Sequence, residues 1–179
     1  MAEFYTMKIA GLERKLQKFA VSDKLDIAGF IIFGDTELTI AASKELLSKA
    51  PEFDVILTPE AKSIPIAYEM SRQSGKPYVV ARKGIKVYMG NPIKVSVRSI
   101  TTQKEQTLYL GEAEVNLIKG KKILIVDDVI STGESLGAVR NLVEKAGGIE
   151  AVSCAILAEG DAANREDIIY LEKLPLFFK

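Results

Sequence analysis

The sequence lacks histidine and tryptophan entirely, and it has one cysteine among its 179 residues. Without histidine, no imidazole is available as a general base or as a metal ligand. The single cysteine, Cys154, lies in a predicted strand and has no partner within the chain for a disulfide. We therefore expect a fold without disulfides and a cytoplasmic location, where thiols stay reduced.

An excess of either charge is also absent, because 24 Lys and Arg residues balance 24 Asp and Glu residues. We therefore expect neither nucleic acid nor a membrane as a partner. No apolar run approaches the ~20 residues of a membrane-spanning helix, and the first residues lack a signal-peptide pattern. With 179 residues, 47% of them hydrophobic, the chain suits one domain spanning 1–179.

Apolar periodicity and turn residues predict that strands and helices alternate along most of the chain. The predicted strands cover residues 54–57, 78–81, 123–126 and 151–157. The predicted helices cover residues 36–49, 64–74 and 134–146. This order predicts an α/β fold, in which a mostly parallel sheet is flanked by helices on both faces.

Two segments depart from this alternation. Within residues 3–20, the spacing of Leu12, Leu16 and Phe19 predicts an amino-terminal helix. Within residues 84–110, Val, Ser, Thr and Tyr alternate around a Gly-Asn-Pro turn signal. That pattern predicts two antiparallel strands or a mobile flap.

The strongest functional signal begins at residues 123–126, an apolar strand that ends in the two carboxylates of Asp127 and Asp128. The small-residue loop 131–135 leads into a helix, and Gly133 lets the backbone approach a ligand closely. Ligands of open α/β sheets bind at the carboxyl ends of strands, and a helix start favours phosphate. Ionised carboxylates accept hydrogens from hydroxyls or bind a divalent cation. This combination predicts a site for a sugar phosphate.

A simpler interpretation is that an acidic or hydroxyl residue after the strand caps the next helix. Capping accounts for one such residue, but not for two carboxylates followed by several hydroxyls and a glycine. Because histidine is absent, the expected cation is Mg²⁺, held by oxygens and by the substrate's own phosphates. Asp127 and Asp128 are its candidate protein ligands.

Residues 127–135 resemble the phosphoribosyl pyrophosphate (PRPP) loop of the type I phosphoribosyltransferases. The resemblance implies that Asp127 and Asp128 are catalytic residues that hold the ribose hydroxyls of PRPP. It implies a loop around the 5′-phosphate made by Ser131, Thr132, Gly133, Glu134 and Ser135. The implied reaction transfers the phosphoribosyl group to a nitrogenous base and releases pyrophosphate. A homodimer is also implied, because the family commonly dimerises.

Residues 58–63 resemble the family's pyrophosphate loop in its Pro-Glu-Ala-Arg-Gly form, with Lys and Ser replacing Arg and Gly. The resemblance assigns the pyrophosphate to Glu60, Ala61, Lys62, Ser63, Arg82, Lys83 and Lys86. Two simpler interpretations stay open: a strand–helix turn capped by serine, and a solvated basic pair at 82–83.

The resemblance also implies moving and covering parts. Residues 84–106 correspond to the family's flexible loop, which closes over the active site and excludes water. The basic residues Lys86, Arg98 and Lys104 in this loop either reach pyrophosphate or are ordinary solvated charges. Residues 1–30 and the carboxyl-terminal tail are expected to form a small hood.

The resemblance favours a purine as the base that accepts the phosphoribosyl group, and adenine is the first candidate. The tail at 158–160, 164–166 and 174–178 and the segment 29–36 resemble the adenine enzymes. The resemblance assigns Phe33 and Val129 to the base pocket. Phe33 in an apolar run also fits the core. Glu105 is the nearest candidate for the acidic residue that adenine enzymes carry in the flexible loop. The alternatives are a xanthine, guanine or hypoxanthine enzyme and a regulator of purine metabolism that binds PRPP without turnover.

Overall fold

The computed structural model describes residues 2–98 and 105–179, apart from the side chains at positions 97, 98, 105 and 106. The described strands are β1 (Phe4–Ile9), β2 (Leu12–Ser22), β3 (Leu25–Ala28), β4 (Val55–Pro59), β5 (Tyr78–Ala81), β6 (Ile93–Arg98), β7 (Glu105–Leu110), β8 (Lys122–Ile130), β9 (Ile149–Glu159), β10 (Ile168–Leu174) and β11 (Phe177–Phe178). The described α-helices are α1 (Thr36–Lys49), α2 (Ile64–Ser74), α3 (Glu112–Ile118) and α4 (Glu134–Lys145).

The centre of the fold is a parallel five-stranded sheet in the order β10-β9-β8-β4-β5. Its middle strand, β8, is buried on both faces, since Leu124 and Val126 point into one apolar cluster and Ile123 and Ile125 into the other. Burial on both faces requires a continuous apolar strand rather than an alternating one. The predicted α/β fold is therefore confirmed.

Helices cover both faces of the parallel sheet. Helices α1 and α2 pack into one apolar cluster, and α4 packs into the other through Leu136, Val139 and Leu142. Helix α2 ends at Gly75, which adopts the left-handed conformation with φ +69° that favours glycine. The helix predicted at 64–74 and the strand predicted at 78–81 match the structure to the residue.

The amino-terminal helix predicted within residues 3–20 is wrong, because this segment forms β1 and β2 of an antiparallel hairpin. The hairpin turns at Ala10 and Gly11, which both have positive φ. Leu12 and Leu16 are four residues apart, a spacing that suits one face of a helix and also one face of a strand. The strand prevails because its inward side chains, Leu16 among them, join the core.

A second sheet joins the two chain segments that were expected to form a hood. Its strand order is β1-β2-β3-β11, and Phe177 of β11 pairs with Asp26 of β3. The amino-terminal segment and the carboxyl-terminal tail thus share one sheet, as expected, although the former contributes strands rather than a helix.

The predicted antiparallel strands within 84–110 are confirmed as β6 and β7, which pair from Ile93 and Leu110 to Arg98 and Glu105. Lys104 lies outside the described residues. The short helix α3 was not predicted from the sequence. In the described part of the chain, no helix is long and apolar enough to cross a membrane.

The hood sheet is tied to the central domain by an ion pair between Arg14 of β2 and Asp35 before α1. Arg14 Nε and Nη2 donate to the two carboxylate oxygens at 2.6 and 2.9 Å. Asp35 also caps α1 by accepting a hydrogen bond from the backbone N–H of Leu38 at 3.1 Å. The Arg14 hydrogen bonds, with help from the Leu38 N–H, hold the pKa of Asp35 below its usual range.

We predict that Asp35→Ala lowers the free energy of unfolding by about 2 kcal/mol, because the helix cap and the Arg14 partner are both lost. Asp35→Asn keeps the cap but loses the charge, so it is expected to cost less. A depressed carboxyl pKa stabilises the fold above the unfolded pKa of about 3.9 and ceases to do so as the pH falls through the folded pKa. Urea titrations at neutral and acid pH measure both effects, and equal stability of all three proteins at pH 7 would contradict the prediction.

Candidate active site

The carboxyl ends of β4 and β8 meet where the chain order in the sheet reverses. From β4 the chain continues outward to β5, whereas β8 continues to β9 on the opposite side. Such a reversal leaves a crevice at the strand ends, where α/β proteins bind ligands. A cleft of about 440 Å³ lies there. It is lined by Pro59, Glu60, Ala61, Lys62, Ser63, Lys83, Leu108, Asp127, Asp128, Val129, Ser131, Thr132, Glu134, Ser135 and Ala138.

The acidic pair lies at the base of this cleft. Asp128 is 3% exposed, and Asp127 is partly buried. Asp127 Oδ1 accepts a hydrogen bond from the Asp128 backbone N–H at 2.9 Å. Burial, followed by the neighbouring Asp128 charge, raises the pKa of Asp127 well above the usual carboxyl range. Two close carboxylates in a partly enclosed site favour a cation or several hydroxyl donors between them.

A lysine of the predicted pyrophosphate loop is the positive partner of this pair. Lys62 Nζ lies 2.9 Å from Asp128 Oδ2, while half of the lysine side chain remains exposed. A residue that the resemblance assigns to pyrophosphate thus neutralises a residue that it assigns to ribose.

Glu159 is a further acidic residue close to Lys62, at the end of β9. Burial raises the pKa of Glu159, and the positive charge of Lys62 opposes that rise. In the sequence, Glu159 was noted only as part of the tail that resembles the adenine enzymes. Its position at the carboxyl end of a predicted strand, like that of Asp127 and Asp128, could have marked it as a residue near the site.

A buried hydroxyl pair fixes the 60–63 loop against β8. The Thr58 hydroxyl donates to the Val126 carbonyl at 2.8 Å, and its oxygen lies 2.7 Å from Ser63 Oγ. Ser63 is 1% exposed, and its side chain accepts no capping hydrogen bond from the backbone of α2. The capping interpretation of Ser63 therefore does not hold, and its hydroxyl serves the loop's attachment. The Glu60–Ala61 peptide in this loop is cis.

Glu60 faces the basic pair at the end of β5. Its Oε2 accepts a hydrogen bond from the Lys83 backbone N–H at 2.9 Å and lies 3.4 Å from Arg82 Nε. A carboxylate in this place positions the basic pair, whereas direct contact with pyrophosphate would be repulsive. Lys83 lines the cleft, but Arg82 and the exposed Lys86 are not among its lining residues.

The predicted phosphate loop lies at the opposite wall. Gly133 has φ +84° and precedes the first residue of α4, so the turn depends on a residue that tolerates the left-handed region. Four members of the predicted loop line the cleft: Ser131, Thr132, Glu134 and Ser135. The exposed hydroxyls and the positive end of α4 suit an anionic group.

The predicted base pocket is only partly assembled. Val129 lines the cleft, while Phe33 is 54% exposed and is not among the lining residues. The side chain of Glu105 lies outside the described part of the chain. Leu108 and Ala138 line the cleft and were not singled out in the sequence, because each fits an ordinary core pattern of a strand or helix.

The donor set suits a magnesium ion only in part. Among the described residues, no group of three or more His, Cys, Asp or Glu side chains is placed to hold a metal. Asp127 and Asp128 offer carboxylate oxygens, which Mg²⁺ prefers, and phosphates of a ligand would have to supply further oxygens.

Comparison with known proteins identifies the family. Residues 35–174 match the family described as "Phosphoribosyl transferase domain". The chain is 34% identical over 128 residues to adenine phosphoribosyltransferase of Thermosipho africanus, which covers 69% of each chain. It is 38% identical over 116 residues to hypoxanthine/guanine phosphoribosyltransferase of Methanothermococcus okinawensis, covering 64% of this chain and 60% of that protein.

A solved structure agrees in fold. The Trypanosoma brucei adenine phosphoribosyltransferase, in complex with AMP, pyrophosphate and ribose-5-phosphate, superposes with a TM-score of 0.70 and 16% identity. The superposition covers 95% of this chain and 76% of that one. The fold is that of an α/β protein with a cleft at the carboxyl ends of its parallel strands. The chain belongs to the phosphoribosyltransferase family, a family of enzymes.

We predict that Lys62→Met lowers the free energy of unfolding by about 1 kcal/mol, because it leaves the buried Asp128 carboxylate without its cation. Adding Asp128→Asn is expected to restore part of that loss, since no unpaired charge remains. Urea denaturation of the two single variants and the double variant measures the coupling. Strictly additive effects would contradict the ion pair.

Proposed function

We propose that this protein transfers the phosphoribosyl group of PRPP to a purine base, with adenine as the preferred base and pyrophosphate as the second product. The observation that carries the proposal is one cleft with carboxylates at its base, a helix start on one wall and Lys62 and Lys83 on the other. Such a cleft offers separate places for ribose hydroxyls, a 5′-phosphate and a pyrophosphate.

The relatives support a purine as the accepted base, and the preference for adenine is proposed. Adenine and hypoxanthine/guanine enzymes resemble the chain at 34% and 38% identity, respectively. The hypoxanthine/guanine activity is therefore the second candidate. The adenine enzyme's structure with AMP, pyrophosphate and ribose-5-phosphate supports the kinds of ligand that the cleft would accept.

The proposed chemistry breaks the C1–O bond between ribose and pyrophosphate. Positive charge develops on the ribose ring, and negative charge develops on the departing pyrophosphate. Asp127 and Asp128 would hold the ring hydroxyls and favour the developing positive charge, while Lys62 and Lys83 would stabilise the leaving group. Arg82 would add to that positive field while Glu60 holds it in place.

Mg²⁺ is the proposed cofactor. Asp127 and Asp128 would hold it together with phosphate oxygens of the substrate. When bound, it supplies neutralising charge to the pyrophosphate.

The remaining parts of the proposal concern coverage, assembly and location. We assign the chain to one domain and residues 84–106 to a lid, of which residues 99–104 lie outside the described part of the chain. Among the described residues of this segment, the exposed side chains of Ile85, Val87 and Tyr88 suit contact with a closed cleft. A homodimer is supported by exposed apolar side chains beside a groove between α1 and α2, including Ile40 and Tyr68.

A cytoplasmic location is supported by the buried, unpaired Cys154. The proposed partners are PRPP and the base, without nucleic acid or membrane.

We predict that the protein, supplied with PRPP, Mg²⁺ and one purine at a time, forms AMP from adenine faster than it converts hypoxanthine, guanine or xanthine. Chromatography of nucleotides and an assay of released pyrophosphate measure this directly. Conversion of oxopurines alone would overturn the adenine assignment, and PRPP binding without turnover of any base would favour a regulator instead.

Asp128→Asn is expected to lower kcat/KM by about a hundredfold or more, because the cleft loses charge that stabilises the transition state. The control is Asp23→Asn, an exposed aspartate in the turn between β2 and β3 that is expected to leave turnover unchanged. Equal rates for both variants would remove the acidic pair from the mechanism.

We also predict an unusual pH dependence. Since burial and Asp128 raise the pKa of Asp127, its ionised form is lost at a higher pH than an ordinary carboxylate's. If PRPP requires the ionised form, kcat/KM rises with pH through that elevated pKa of the free enzyme. A rate profile from pH 3 to 9, with circular dichroism to confirm folding, tests this, and an acid limb centred near pH 4 would contradict it.

A further inference from the structure

Arg165 lies outside the cleft lining, in the segment just before β10, and is held there by a two-pronged ion pair. Its Nε and Nη2 donate to the two carboxylate oxygens of Asp167 at 2.9 and 2.7 Å. This fork–fork geometry fixes the plane and direction of a guanidinium more firmly than a single contact. Arg165 is therefore a rigid group rather than a free surface charge.

Asp167 is in turn anchored to α4. Arg140 of that helix donates from Nη1 to Asp167 Oδ2 at 2.6 Å and from Nε to Glu150 Oε1 at 2.9 Å. The hydrogen bonds from Arg165 and then from Arg140 hold the pKa of Asp167 far below its usual range. The network thus links the start of β10, the start of β9 and the middle of α4.

The guanidinium nitrogen that Asp167 does not use lies against the phosphate loop. A Cβ placed on Gly133 would collide with Arg165 Nη1 and would lie 3.6 Å from its Cζ. Gly133 is also the residue whose positive φ turns the chain into α4. Arg165 therefore covers the one position on which the shape of the loop depends.

We propose that Arg165 is a positioning residue that braces Gly133 and so keeps the 131–135 loop ready for the 5′-phosphate. This inference rests on the proposed function, since it concerns the same loop. Arg165 acts through Gly133. Asp167 and Arg140 set the orientation of the Arg165 guanidinium and connect it to α4, the helix that follows the loop.

The brace has a specific energetic consequence. A loop that is already ordered loses little conformational entropy when a phosphate binds, whereas an unbraced loop must be ordered by the ligand. Removal of the brace therefore weakens ligands that carry the 5′-phosphate. It leaves the chemical step of the saturated enzyme nearly unchanged, because the loop is then ordered by the bound phosphate.

The test compares Arg165→Ala, Arg165→Lys and wild type. For Arg165→Ala, we expect the KM for PRPP and the Kd for ribose 5-phosphate to rise about tenfold, because the loop loses its preset geometry. We expect kcat to stay within about twofold of wild type. Lysine keeps the charge but not the planar fork, so Arg165→Lys is expected to resemble the alanine variant. Full rescue by lysine would overturn the positioning role in favour of a simple charge effect.

Arg72→Ala is the matched control, since Arg72 makes the same kind of two-pronged pair with Glu69 on α2 at 2.9 and 2.7 Å. It is expected to leave the KM for PRPP unchanged. Gly133→Ala adds a second test, because its effect on ribose 5-phosphate binding should be smaller when combined with Arg165→Ala than alone. Additive effects would overturn the direct contact.

Two further outcomes are distinct. Wild-type protein that binds neither PRPP nor ribose 5-phosphate in calorimetry would overturn the proposed function and this role with it. Wild-type protein that binds both, beside an Arg165→Ala variant of equal affinity, would overturn the role of Arg165 alone.

Discussion

The molecule depends on a central strand, β8, whose residues 123–126 are buried between the two apolar clusters. This stretch must be apolar, because neither face reaches water. Polar groups are tolerated beyond Ile125, the last residue of β8 that pairs with β4, and there Asp127 and Asp128 meet the loop after β4. The constraint that makes the core stable therefore also concentrates charge at one edge of the sheet.

Charges at this edge are arranged in pairs of opposite sign. Lys62 neutralises Asp128, and Glu60 holds the basic pair after β5. The buried Asp128 carboxylate would be costly alone, and Lys62 supplies its counter-charge. Acidic and basic side chains from three different strand ends therefore balance one another at the cleft.

Much of the fold and part of the candidate site were predictable from local sequence. The apolar residues before Asp127 and the helix that ends before Gly75 are set by neighbours in the chain, so hydrophobic pattern and turn residues identified them. The amino-terminal strands were missed because a spacing of four residues suits two periodicities. The contacts of Glu60 with the basic pair, and of Arg165 with Gly133, join segments far apart in the chain. Only the order of strands in the sheet brings those segments together.

The hood sheet draws its strands from both ends of the described chain, since β11 pairs with β3 across about 150 residues of sequence. Contacts of such long range form late, because the loop that they close must be ordered first. While the polypeptide is being synthesised, one edge of β3 stays unpaired until Phe177 has emerged from the ribosome. Pairing with β11 therefore protects this edge of β3 from pairing with a neighbouring nascent chain.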